Sequence, residues 1–254
     1  IVRQNLDFWG SLPYEKYVFL NMIVGAGGGL EHKNSTLMMT NRWTSRDPEQ
    51  YRKWLGLTCH EFFHTWNVKR LRPVELGPFD YENETYTKSL WIVEGLTSYY
   101  DDLLLRRAGL LTTKQYLEAL SANIKRVQET PGRRASSLEQ SSFDAWIKFY
   151  RPDENSVNST ISYYTKGALI GFLLDAHLRN TSSGRINLDQ VMLSAMDNYS
   201  SDTGYTSEEF KETVSKLAGI DLRSWFKNAL QETGELDYTE ALDLYGLEFE
   251  KPLS

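Results

Sequence analysis

His60-Glu61-Phe62-Phe63-His64 is the stretch on which the reading of this 254-residue chain turns. Histidines four positions apart project from one face of an α-helix with Cβ atoms about 6 Å apart, so both imidazoles can bind one metal ion. With a glutamate between them, such a pair suits Zn²⁺ used for hydrolysis, one ion per chain. The helix is signalled upstream: Asp47-Pro48-Glu49-Gln50 offers an N-cap, a proline at the first helical position and a capping-box glutamine. A helical stretch therefore starts there and runs through His64, with Gly56 as a point where it could break. Cys59 is rotated about 100° from His60 and reads as packing.

A catalytic zinc keeps three protein ligands and an open position, so a third ligand must come from elsewhere. The remaining histidines are His32 and His177. A carboxylate fits better, because Trp91-Ile92-Val93-Glu94-Gly95-Leu96 sets one acid within an apolar helical face. Left unpaired there, Glu94 would cost several kcal/mol, and metal ligation removes that cost; a buried salt bridge is the competing reading. Glu82 and Glu84 lie nearer the motif but in a polar, loop-like segment, and rank behind Glu94. Glu61 can reach a water at the metal without ligating, and so act as general base; the plainer reading is a surface glutamate.

Outside the motif the chain is ordinary for a globular protein, with 41% hydrophobic and 24% charged residues. A formal charge of −6 argues against nucleic acid, which needs clustered cations. No apolar run reaches the 18 residues of a membrane span, so the chain reads as soluble, in a compartment the sequence leaves unknown. One cysteine excludes an internal disulfide framework. Residues 17–24 and 36–40 read as strands around the glycine-rich Gly25 to Gly29, and helical periodicity dominates from Leu90. Helices are predicted over 90–107, 113–127, 163–178, 188–199, 207–217 and 222–229, with an ordered loop over 130–158. The fold class is α+β: a small mixed lobe over 1–105 carrying the histidine motif, then an α-helical lobe over 106–245.

Four motifs in order now carry a resemblance: Gly28-Gly29-Leu30-Glu31-His32, His60 through Pro73, Trp91 to Tyr100 around Glu94-Gly95, and Tyr164-Thr165-Lys166-Gly167. Together they resemble the glycyl aminopeptidase family of gluzincins, metallopeptidase family 61, over about 140 residues. The resemblance implies a thermolysin-like catalytic domain with His60, His64 and Glu94 as zinc ligands and Glu61 as general base. It implies further that Glu31, with Gly28 and Gly29, binds the substrate's free amine along an edge strand. Tyr164 would then donate to the oxyanion, with Tyr163 as the alternative one residue away, and His177 would be structural.

The implied activity is removal of N-terminal Gly or Ala from peptides; a zinc endopeptidase and an inactive binding module of the same fold are the alternatives. The family also implies a β domain before and a PDZ domain after the catalytic domain. The start at Ile1 and the segment 246–254, read as a lead-in, create the expectation that both flanking domains are missing here.

Overall fold

Extended pairing of short apolar runs begins the fold. In the structure, a computed structural model describing residues 1–200 and 203–250, β1 (Val18–Ile23) pairs in parallel with β3 (Ser35–Thr40). The glycine-rich segment contributes a strand of its own, β2 (Gly28–Glu31), antiparallel to β3 with Gly28 opposite Met39 and Glu31 opposite Thr36. The sheet order is β1-β3-β2, so β2 is an edge. The last four residues of the 246–254 lead-in lie outside the described residues.

Thr36 and Met38 are buried on the sheet face turned to α2 (Pro48–Phe63), where Thr58 Oγ1, which donates to the Trp54 carbonyl at 2.8 Å, stands 3.4 Å from the Met38 sulfur. Asp47 caps α2 by accepting from the Glu49 and Gln50 amides at 2.8 and 3.2 Å. The helix is unbroken at Gly56, and its last turn, Thr58 to Phe63, is buried. Helix α1 (Val2–Trp9) was not legible as a helix, because what fixes it is tertiary: Trp9 stacks on Trp66 at 5.6 Å and Phe8 meets Tyr100 edge-on at 4.9 Å.

The helix expected over 90–107 is two elements, a π-helical turn over Trp91–Leu96 and α3 (Thr97–Arg107). Next come α4 (Thr113–Glu129), α7 (Tyr163–Thr181), α8 (Leu188–Tyr199) and α9 (Ser207–Ala218), close to their predicted bounds. The segment 130–158 is a correction: it holds a 3₁₀ turn (Pro131–Arg134), α5 (Leu138–Phe143), a π turn (Ala145–Phe149) and α6 (Ser156–Ser159). Pieces of four to six residues cannot show a helical period, and local caps such as Ser137 accepting from the Gln140 amide at 3.2 Å define them instead. Likewise the helix expected over 222–229 is α10 (Arg223–Phe226) running into a π turn (Lys227–Gln231), and α11 (Thr239–Tyr245) follows.

Helix α7 is the axis of the helical lobe, buried at most positions from Tyr163 to Leu178. Asp175 on it accepts from the Tyr99 hydroxyl at 3.0 Å, Arg179 Nε at 2.9 Å and the Leu188 amide at 2.8 Å, joining α3, α7 and α8. Backbones touch where α7 crosses the π turn: a Cβ added to Gly167 would stand 2.7 Å from the Gly95 Cα. Gly167→Ala is therefore expected to lower unfolding free energy by about 1–3 kcal/mol. Gly56 sits mid-helix with open space at its Cβ position, so Gly56→Ala is expected to raise it by about 0.5–1 kcal/mol. Thermal unfolding midpoints of the two variants should move in opposite directions.

Candidate metal centre

The end of α2 presents His60 and His64, and the π turn presents Glu94 against them. His60 Nε2 lies 3.1 Å from His64 Nε2, and Glu94 Oε2 lies 3.1 Å from the first and 3.2 Å from the second. Ligands about 2.0–2.1 Å from a tetrahedral metal stand roughly 3.3 Å apart, so this near-equilateral triangle of donors fits one ion. The second nitrogens are committed elsewhere. His64 Nδ1 donates to the Asn67 carbonyl at 2.7 Å, which makes Nε2 the free lone pair, and His60 Nδ1 faces Asp101 Oδ2 at 3.2 Å. Such backing is what orients imidazole ligands in metal sites.

The π turn has a structural cause. Widening a helix by one residue frees carbonyls from the regular ladder; Asn67 Nδ2 donates to the Ile92 carbonyl at 2.9 Å and to Thr97 Oγ1 at 3.0 Å, and the Thr97 hydroxyl donates to the Val93 carbonyl. Asn67 thus ties the turn after α2 to the turn that carries Glu94.

Burial works against charge on His60, but the hydrogen bonds and charges of Asp101 and Glu94 outweigh it and raise its proton affinity well above the ordinary value. Burial alone would raise Glu94, yet the two imidazoles hold its carboxyl well below the ordinary range. A metal ion must displace the histidine protons, so its affinity falls as pH falls.

Glu61 is 5% exposed, and its Oε2 has no hydrogen-bond partner among the described residues. Burial raises its pKa, offset in part by His60 and His64. Gly29 on the edge strand lies against it, so closely that a Cβ there would meet the Glu61 carboxyl carbon at 2.3 Å. Glu31, two residues on, pairs with Lys69 Nζ at 3.0 Å. Of the two tyrosines, Tyr164 has its ring 6.1 Å from the His60 ring, whereas Tyr163 is 1% exposed and packed on Phe149 at 5.0 Å. Burial and the Glu94 charge raise the Tyr164 pKa, so the phenol keeps its proton. The structure thus brings His60, Glu61, His64, Glu94, Tyr164 and the Gly28–Glu31 strand to one place. His177 is apart from it, with Nδ1 on Glu240 Oε2 at 2.8 Å.

Sequence reasoning missed Asp101, Asn67 and Lys69. Asp101 had a signal, since it follows Glu94 by seven positions and so shares a helical face with it. Asn67 and Lys69 lie within the motif from His60 to Pro73, but they act through a non-repetitive turn, and no period assigned them a role.

Residues 53–170 match the model of the M61 glycyl aminopeptidase family. The matched segment contains the two histidines, Glu61, Glu94 and Tyr164. A crystal structure of an aminopeptidase N family protein from Idiomarina loihiensis is 37% identical, with a TM-score of 0.91 over 95% of this chain and 43% of that one. A mutant M1 zinc metallopeptidase from Deinococcus radiodurans, 17% identical with a TM-score of 0.56, shares the fold over 93% of this chain and 44% of its own. The chain thus spans less than half the length of either protein. Among curated proteins, no sequence matches it. The α+β peptidase fold expected around the M61 motifs is the one observed. Among the described residues no helix is long and apolar enough to cross a membrane.

Zinc at a hundredfold excess over its dissociation constant should stabilise the chain by roughly 2.7 kcal/mol, read as a thermal shift that chelator reverses. Glu94→Ala and His64→Ala should abolish that shift. Asp102, beside the centre, is raised from 3.8 to about 7 by burial and by Asp101. Its folded value lies above the unfolded one, so the penalty for ionising it is absent below pH 4 and complete above pH 7. Asp102→Asn is expected to match wild type in stability near pH 4 and to exceed it by about 2 kcal/mol at pH 8.

Proposed function

We propose that the protein is a zinc-dependent aminopeptidase that removes small N-terminal residues, Gly or Ala, from peptides. The observation that carries this reading is the closeness of two groups: the donor triangle of His60, His64 and Glu94, and the edge strand that ends in Glu31. His60, His64 and Glu94 would hold one zinc ion. When bound, zinc supplies Lewis acidity, polarising the scissile carbonyl and making water acidic enough to deprotonate near neutrality.

Glu61 would take a proton from the attacking water and return it to the leaving amine. Its buried carboxyl, with proton affinity raised, suits a group that must both accept and return a proton. Gly29 is what gives Glu61 room beside β2. Tyr164 donates its phenol hydrogen to the carbonyl oxygen as charge develops there, an interaction that strengthens only along the reaction. Glu31 accepts from the substrate's terminal ammonium, and its distance along the strand from Gly29 limits the reach to one residue. The preference for glycine or alanine rests on the likeness to the M61 family.

Glu61→Gln should keep the metal stoichiometry of wild type and lose turnover by at least about 10³-fold on Gly- and Ala-arylamides. Peptides with acetylated N-termini should resist cleavage. Cleavage of acetylated and free peptides at equal rates would make the protein an endopeptidase, and absence of both metal and turnover in wild type would leave a binding module.

A further inference from the structure

The run Val68-Lys69-Arg70-Leu71-Arg72-Pro73 after the histidine motif has no part in the scheme so far, yet one of its side chains points into it. Lys69 Nζ lies 3.0 Å from Glu31 Oε1, with the lysine side chain 10% and the glutamate 21% exposed. The lysine is itself fixed from three directions. Its amide donates to the His64 carbonyl at 3.1 Å, its ammonium sits 4.7 Å from the Phe79 ring centroid, and Val68 before it is held at φ 139. A β-branched residue avoids that region unless the surroundings compel it. Arg72 covers the same Phe79 ring at 5.7 Å, closing the aromatic shelf under the ammonium.

We propose that Lys69 is a positioning residue for the amine subsite, and through it a determinant of specificity for a free N-terminus. The inference rests on the reading of Glu31 given above. Glu31 ends an edge strand and carries a flexible side chain; the exposed residues His32 to Asn34 follow it. By engaging Oε1, Lys69 fixes the carboxylate in one rotamer and turns Oε2 toward an incoming ammonium. Because the lysine hangs from the turn that also backs His64, the distance from the amine subsite to the metal centre is set by one short piece of backbone. An ordinary structural ion pair would instead only fasten β2 to that turn.

A double-mutant cycle on KM and kcat for Ala-arylamide separates these roles, with metal content and thermal midpoint measured for every variant. Lys69→Met should raise KM about tenfold with kcat changed less than about threefold, and Lys69→Arg should restore most of the loss. In a Glu31→Gln background, Lys69→Met should cause no further rise, since the lysine acts only through Glu31. The same KM ratio in both backgrounds would reduce Lys69 to a fastener, and a KM lowered by Lys69→Met would make it a competitor of the substrate amine; either result overturns the proposal. Lys69→Gln carries the same test if the methionine variant does not fold. Equal cleavage of free and acetylated peptides by wild type brings down the aminopeptidase reading and this proposal together, whereas a failed cycle in an amine-selective wild type removes only the role of Lys69.

Discussion

Everything at the centre depends on how a helix from one part of the chain meets a helix from another without side chains between them. Gly95 and Gly167 let the π turn and α7 touch backbone to backbone. That contact sets the height of Glu94 above α2 and brings Tyr164, three residues before Gly167, to the same level. A methyl group at either glycine would hold the helices apart. The donor triangle, with edges of 3.1 and 3.2 Å, would open with them.

Asn67 is the complement of that contact. A π turn is costly because it abandons regular hydrogen bonds, and it persists where something else takes them up. Asn67 does so from the turn after α2, and its own carbonyl receives the His64 Nδ1 hydrogen. One residue therefore satisfies the irregular backbone that carries the third donor and orients the second. The irregularity is what places Glu94, since an uninterrupted α-helix would rotate its side chain away from the histidines.

The parts of the site that were legible in the sequence are those that repeat or that carry chemistry in a fixed spacing. His60 and His64 follow from helical geometry, and Glu94 follows from the cost of leaving an acid in an apolar face. The strands at 18–23 and 35–40 show as short apolar runs, and the long helices α4, α7, α8 and α9 show their period. What could not be read is tertiary in origin. Helix α1 is held by Phe63, Trp66 and Tyr100, and the short helices of 131–159 have fewer than two turns each. The π turn at 91–96 looks like ordinary helix in composition, and only its partner Asn67 tells otherwise. The glycines of 25–29 read as a turn, although Gly28 and Gly29 are strand residues whose missing side chains make space for Glu61.

Charge is what the convergence of these elements has to offset. Glu31, Glu61 and Glu94 lie close enough that the charge of Glu31 and of Glu94 each raises the proton affinity of Glu61, and Asp101 adds a fourth acid behind His60. Acids this close and this buried repel one another, so the site needs cations to be stable. Lys69 answers Glu31 through a direct ion pair. His60 and His64, protonated, answer Glu94 and Asp101, which is why both imidazoles have raised proton affinities despite burial. A divalent ion in the donor triangle would perform the same neutralisation with the protons released, while Glu61 has no ion pair of its own among the described residues. Its Oε2, without a hydrogen-bond partner among the described residues, lies on the carboxyl group that faces Gly29 of the edge strand.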